Sequence, residues 1–465
     1  MIGYPVFKRL IYSLLFCILL VGCKESDNSL EFDLNHPNIV FIISDDQSWS
    51  DYGYMGHPHI ETPHIDNLAS ESLTFTRGYL PAPVCRKSLG SIITGLYPHQ
   101  HGVTGNDPGF KFDRQAATRQ EWMQARAPLN QVITDRYNNL PNLAKYLTDR
   151  GYLTLQTGKW WEGSYEDSGF SHGMTHGDIT RGGRHGDEGL RIGREGMDPI
   201  EDFLDEALGE EKPFFIWYAP FLPHTPHNPP DSLLQKYITD APSEPIAKYW
   251  AMIDWFDITV GQLIDSIDDR GLTDNTMVVY LTDNGWIQHP ERQNNFAWPS
   301  KQSPFDMGIR THMTYKWPDQ ITPRMDTITF VSTNDMVPTV LEAVGIEPEM
   351  ELPGVNVLDR SALDAREVVF SADYNHDIAD VHNPTESLEH RVVLKSPWKL
   401  ILPAKEGQPQ EMRSGGGGEF IDYIEAPELY NIVEDPRETN NVADEFPDVV
   451  NELQQLIDEW WEPEF

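Results

Sequence analysis

Ile39 to Ile43 form an apolar run without polar interruption, four of its five residues β-branched. Such a run predicts a strand covered on both faces, as at the centre of a parallel sheet. Thr276–Thr282 and Pro213–Ala219 are runs of the same buried type, and Leu73–Tyr79 and Tyr152–Gln156 read as further strands. Helical spacing predicts helices over Ile65–Ser72, Ser88–Thr94, Leu140–Asp149, Ile200–Leu208, Ile246–Asp269 and Val331–Val344, with Gly95 stopping the second. Beyond about Arg366 the pattern changes. Val368–Ala372 and Arg391–Leu402, the latter broken at Pro397, read as antiparallel strands, and Pro447–Trp461 as a closing helix. The fold class is therefore α/β: a large mixed, mostly parallel sheet flanked by helices, plus a smaller C-terminal α+β domain with an antiparallel sheet. The large domain is expected over 36–365 and the small one over 366–465.

The amino terminus reads as a processing segment. Lys8 and Arg9 precede an apolar stretch, Leu10–Val21, shorter than the roughly 20 residues of a membrane span but suited to a signal-peptide core. Leu20, Val21, Gly22 and Cys23 resemble a bacterial lipoprotein box, which implies a signal peptide over 1–22, lipidation of Cys23 and a polar tether over 23–35. The protein is then expected outside the cytoplasm, in the periplasm or at the cell surface, touching the membrane only through its lipid. Of the three cysteines, Cys17 leaves with the leader and Cys23 carries lipid, so Cys85 is the one thiol of the mature fold.

Charge narrows the range of partners. Thirty-five Lys and Arg face 73 Asp and Glu, a formal net charge of −38, which argues against nucleic acid as a ligand. An anionic substrate would be repelled at long range, but salt screens that field beyond about 10 Å, so cations near the site decide. Low complexity is confined to Gly415–Gly418.

Candidate chemistry sits where the buried strands end. Asp45 and Asp46 close the first run and Asp283 and Asn284 close the run from Thr276, at the carboxyl ends where open α/β sheets place ligands. Adjacent carboxylates repel unless a positive charge lies between them, and these four oxygen ligands suit a hard divalent cation, Ca²⁺ or Mg²⁺. Cys85 falls at a helix amino terminus, a place that lowers a thiol's pKa and welcomes anions. Ser171–Pro199 gathers His172, His176, Arg181, Arg184, His185, Arg191 and Arg194, a positive patch in an acidic chain. It is either a solvated loop or a surface facing anionic groups of a ligand, which Arg forks bind two-handed.

The order of these features resembles the type I sulfatases of the alkaline phosphatase superfamily. Strand, Asp45-Asp46, then Cys85-Arg86-Lys87-Ser88-Leu89 with Thr94-Gly95-Leu96-Tyr97-Pro98-His99 resembles that family's Cys-x-Pro-Ser-Arg region, in which the Cys is oxidised to formylglycine. Lys87 and Leu89 replace the family's Pro and Arg. Gly158-Lys159-Trp160-Trp161 resembles its Gly-Lys-Trp-His, with Trp161 in place of His, and Pro223-His224-Thr225-Pro226 its Pro-His-x-Pro. Lys301 resembles the family Lys ahead of a Gly-Ile-Arg block, and PELYNIVEDPRETNNVA resembles part of its C-terminal domain. The likeness runs from about Asn38 to Trp461.

It implies a sulfuric ester hydrolase acting on a sulfated glycan. Ca²⁺, favoured over Mg²⁺, would be held by Asp45, Asp46, Asp283 and Asn284. Cys85 would become formylglycine through a formylglycine-generating or sulfatase-maturing enzyme, and Lys159, His224 and Lys301 would contact the sulfate or its leaving oxygen. His172, Arg184 and His227 are assigned to substrate binding. One histidine of the Ser171–Pro199 loop could supply the acid missing at Trp161, and the loop His376–His382 could line the site mouth. Two rivals stay open: a phosphate or phosphonate ester hydrolase of the same superfamily, and a lipid-anchored glycan-binding relative without turnover.

Overall fold

The run after Asn38 forms β1 (Asn38–Ser44), with all seven residues buried. Its alternation sends Ile39, Phe41 and Ile43 into one apolar cluster and Val40 and Ile42 into another, so both faces are covered. Each such fully buried side chain contributes about 1.5–3 kcal/mol. The other strands of this sheet are β2 (Leu73–Tyr79), β3 (Leu153–Gly158), β4 (His172–Gly173), β5 (Phe214–Ala219), β6 (Thr276–Thr282), β7 (Arg310–Lys316), β8 (Arg324–Asp326) and β9 (Val331–Ser332). They run in the order β4-β3-β5-β1-β6-β7-β2-β8, with β9 also on β2. Only β7 runs antiparallel to its neighbours β6 and β2, so the sheet is mixed and mostly parallel, as expected.

Helices cover the two faces. Cys85–Thr94, Arg119–Asn138, Leu143–Asp149 and Met336–Ala343 feed the first cluster. Pro63–Ser70, Asp198–Gly209 and Glu244–Asp268 feed the second. Asp257, on the last of these, accepts hydrogen bonds from the amides of His64 (3.2 Å) and Ile65 (2.8 Å), capping Pro63–Ser70 from outside.

The smaller sheet is antiparallel: β10 (Val369–Tyr374), β11 (Leu388–Lys395), β12 (Trp398–Pro403) and β13 (Glu428–Asn431). Helix Pro447–Trp460 packs Leu453 and Ile457 against it.

The structure is a computed structural model describing residues 36–109, 118–178, 185–404 and 424–464, together with Met1. The leader, Cys23 with its tether, Arg181, Arg184 and Gly415–Gly418 lie outside the described residues. All described elements belong to one compact unit beginning at residue 33. Among the described residues no helix is long and apolar enough to cross a membrane.

Two helices start later than expected. The helix expected over Val331–Val344 begins only at Met336, because Val331 and Ser332 pair with β2. The helix expected from Leu140 begins at Leu143, where the Asn142 side chain accepts from the Lys145 amide. The break expected at Pro397 within Arg391–Leu402 is present, as a turn at Ser396-Pro397 between β11 and β12.

Candidate active site

β1 and β6 run parallel in register, Ser44 opposite Thr282, so the residues that follow them emerge side by side. Asp46 adopts φ 66°, the left-handed region, and its amide donates to Asp283 Oδ1 at 3.2 Å. Asn284 Nδ2 donates to Asp46 Oδ1 at 2.7 Å. The two acidic tips are thus interlocked.

Two cations reach the same point. Lys159 follows β3, its backbone held by Ala219 O at 2.8 Å, and its Nζ lies 2.6 Å from Asp45 Oδ1 and 3.7 Å from Asp283 Oδ2. The preceding Gly158 has φ +78°, and a Cβ there would stand 1.8 Å from Ala219 O, so only glycine lets β3 and β5 close up. Lys301 Nζ hydrogen-bonds Asp46 Oδ1 and lies 3.1 Å from Cys85 Sγ. Cys85 opens its helix with Sγ 4.0 Å from Asp45 Oδ1 and from Asp46 Oδ1. His224 follows β5; its Nδ1–H donates to Thr225 O at 2.7 Å, which leaves Nε2 as acceptor, 3.5 Å from Asp46 Oδ2.

The electrostatics are unbalanced. Burial pushes Asp45 well above the usual carboxylate range; Lys159 and Lys301 oppose the rise, and Asp283 and Asp46 add to it. Burial works against the charges of Lys159 and Lys301 as well, yet the carboxylates, Asp45 for the first and Asp46 for the second, hold both above their ordinary values. Burial pushes the Cys85 thiol up to about 12 against the pull of the two lysines. Burial takes His224 well below its ordinary range, with Lys159 and Lys301 adding to the shift.

Four buried oxygens here have no hydrogen-bond partner: Asp45 Oδ2, Asp46 Oδ2, Asp283 Oδ2 and Asn284 Oδ1. Each comes from one of the four residues assigned to a cation. Buried oxygens left unsatisfied are costly, and four converging at the end of two strands fit a hard divalent ion. One ligand atom each from Asp45, Asp46, Cys85 and His224 also falls within 4.8 Å of the others.

Above this point opens a cavity of about 290 Å³, lined among others by Asp46, Cys85, Lys159, Trp161, His224 and Lys301. The loop at His376 reaches it through His376 and Asp377. The other assigned residues fall elsewhere. His172 sits on β4 with Nε2 3.3 Å from Glu206 and its ring against Phe203, outside the cavity lining. β4 meets β3 at Leu155, short of the strand's carboxyl end, so that part of the loop cannot reach the site. His227 is buried against Tyr249 and Trp286 and does not line the cavity. Of the positive loop, His185 is the residue that lines it among those described.

Sequence reasoning passed over several lining residues. Asn106, Asp107 and Trp122 fall in a stretch left unread, although Thr118 and Glu121 form a capping box that marks the start of helix Arg119–Asn138. Trp286, two residues after Asn284, lies 5.6 Å from Lys301 Nζ across its ring face.

The altered motif positions have local explanations. Lys87 is buried and donates to Tyr374 O (3.1 Å) and Asn375 O (3.0 Å), and Leu89 packs into the core. Arg86 makes a two-handed bond to Glu162, Nε–Oε1 2.6 Å and Nη2–Oε2 2.8 Å. Trp161 presents its ring 5.3 Å from Lys159 Nζ.

Comparison with known proteins adds to this geometry. The profile of the family described as Sulfatase matches residues 37–346. The human N-acetylgalactosamine-6-sulfatase is 27% identical over 69% of this chain and 65% of its own length. The N-acetylgalactosamine-6-O-sulfatase of Bacteroides thetaiotaomicron is 23% identical, covering 95% of this chain and 96% of that protein. The chain thus spans about two thirds of the human relative and nearly all of the bacterial one. Among solved structures, Ps i-CgsB in complex with k-i-k-neocarrahexaose shares the fold with TM-score 0.70 and 21% identity, covering 92% of this chain and 94% of that one.

Proposed function

The chain belongs to the sulfatase family, and we propose that it is a sulfuric ester hydrolase that removes sulfate from a sulfated carbohydrate outside the cytoplasm, anchored by lipid at Cys23. The observation that carries this reading is the meeting of four buried oxygens without a hydrogen-bond partner, two lysines and the Cys85 sulfur at one buried point.

Asp45, Asp46, Asp283 and Asn284 would hold Ca²⁺, which when bound aligns the sulfate and stabilises negative charge as a Lewis acid. A thiol held near 12 is protonated at neutral pH and a poor nucleophile as it stands. Conversion to formylglycine by a maturing enzyme would supply a hydroxyl nucleophile at the same place. Lys159 and Lys301, both cationic, would donate to sulfuryl oxygens as charge develops there, and such preorganised donors are commonly the largest part of transfer catalysis. Trp161 and Trp286 wall the cavity and keep water from the lysines.

Two relatives are named for N-acetylgalactosamine 6-sulfate, so that sugar sulfate is the first substrate to assay. Mass analysis of the Cys85 peptide from the native host is expected to find an aldehyde, and turnover on an aryl sulfate is expected to exceed that on the matching aryl phosphate. An intact thiol in an active preparation, or a clear preference for phosphate, overturns the proposal.

A further inference from the structure

A second cavity, of about 490 Å³, adjoins the first and shares Trp122 and Trp161 with it. The first, at about 290 Å³, lies at the small end of ligand pockets, which run from about 300 to 1,000 Å³, and suits a sulfate with the ring that bears it. A hydroxyl or acetamido group reaching out from that ring would leave the larger cavity mostly empty.

The walls of the second cavity suit a sugar. Trp122, Trp161 and Phe221 supply flat apolar rings against which the face of a sugar packs. Two polar atoms of lining residues, Trp161 Nε1 and Thr134 Oγ1, have no hydrogen-bond partner among the described residues, although their side chains are deeply buried, at 7% and 5% exposed. Groups left so are costly, and a ligand that bonds them recovers the loss. An indole N–H only donates, whereas a Thr hydroxyl donates and accepts, so the complement is an oxygen such as a sugar hydroxyl.

This wall is held at a set distance from residue 85. Helix Arg119–Asn138 turns Arg126, Asn130 and Thr134, each four residues from the next, toward the cavity. Arg86, which follows Cys85, donates from Nη1 to Asn130 Oδ1 at 3.0 Å and grips Glu162 with Nε and Nη2. The helix that begins at Cys85 and the helix that lines the second cavity are thereby joined.

On the sulfatase reading above, we infer that the second cavity takes a second sugar ring, so that the preferred substrate is a sulfated oligosaccharide of at least two rings and not a sulfated monosaccharide.

The test compares kcat/KM on N-acetylgalactosamine 6-sulfate and on di- and tetrasaccharides that contain it. Wild type is expected to gain about tenfold or more with length, because binding energy remote from the reacting bond is spent there. Thr134→Val removes the hydroxyl at nearly constant volume and is expected to lose about three- to tenfold on the longer substrates, the worth of one neutral hydrogen bond, with the monosaccharide unchanged. Ala127 is exposed and lines the second cavity but not the first, so Ala127→Trp should fill that cavity and bring the longer substrates down to the monosaccharide's value. Because Thr134 Oγ1 has no hydrogen-bond partner among the described residues, Thr134→Val should melt no lower than wild type, which separates its loss from misfolding. Equal kcat/KM across lengths in wild type, equal effects of the variants on every length, or turnover of 4-nitrophenyl sulfate alone overturns the inference and leaves the sulfatase reading in place. A wild type that cleaves neither sugar nor aryl sulfates overturns both.

Discussion

Replacing Asp283 by Asn separates the electrostatic account of the site from a purely structural one. Asn keeps the Oδ1 that accepts from the Asp46 amide and changes the oxygen that has no hydrogen-bond partner, Oδ2. It also removes one of three buried carboxylates that two lysines cannot neutralise. Without a divalent ion the variant should therefore unfold within about 1 kcal/mol of wild type, because a lost Lys159 contact and a relieved repulsion oppose each other. With the ion the two should part. For a Kd of about 1 µM, inside the range of oxygen-ligand Ca²⁺ sites, about 1 mM Ca²⁺ adds about 4 kcal/mol to wild-type stability. A ligand loss that weakens binding by about a hundredfold leaves about 1.4 kcal/mol for the variant. With an unfolding entropy of about 0.9 kcal/mol per kelvin for a chain of this size, the melting temperature rises by about 4–5 °C in wild type and about 1.5 °C in the variant. Thermal melts in chelator and in Ca²⁺ measure both numbers. An equal Ca²⁺ shift in the two proteins, or none in wild type, refutes the assignment of these oxygens to an ion.

Two further outcomes follow from buried charges outside that cluster. Arg86→Met strands the Glu162 carboxylate and should cost about 3–5 kcal/mol in denaturant unfolding, while adding Glu162→Leu should recover most of it; a double variant no better than the single shows that the pair is not the stabilising contact. Asp257 is raised to about 7 by burial, against the two amides it caps, so its neutral form is the one the fold prefers. Its contribution is whole below the unfolded carboxylate pKa and is lost as pH rises toward 7, by at most about 1.4 kcal/mol per pH unit. Asp257→Asn, which cannot ionise, should therefore gain on wild type between pH 5 and pH 7 in urea melts, and parallel curves would contradict it.

Legibility in the sequence followed burial. β6 matches its expected bounds because residues covered on both faces leave an unbroken apolar run, and the two acidic tips are found by reading where such runs, β1 and β6, stop. β7 has all seven residues buried yet reads as polar, RTHMTYK. Two of its polar side chains pair with neighbours far away in sequence, Thr314 with Thr74 at 3.2 Å and Lys316 with Glu71 at 2.8 Å, which no local pattern reveals. Helix Arg119–Asn138 went unread because few of its residues are apolar and Pro128 interrupts it, although its capping box was visible. His172 and His185 could not be told apart by composition. Which of them faces the site depends on the register of β4 on β3 and on the bond from Trp160 to His185 O, both set by tertiary pairing.

The altered residues around Cys85 are placed as working parts of the fold, which bears on the rival in which they mark lost turnover. Decay of a buried motif leaves cavities or unsatisfied groups, since interiors are close-packed and unpaired buried charges are costly. Arg86 and Lys87 are supplied with partners at 2.6–3.1 Å and Leu89 adds to the core, whereas Ser88 Oγ and Trp161 Nε1 have no hydrogen-bond partner among the described residues, so it is positions 86, 87 and 89 that count against decay. The Lys87 bonds do more than fill space. They tie the helix that begins at Cys85 to the end of β10 and to Asn375, just before His376 and Asp377 of the following loop, which line the cavity. A charge two residues from Cys85 thus holds the smaller sheet's contribution to the cavity in place, a link that a proline there, with neither charge nor donor, could not make.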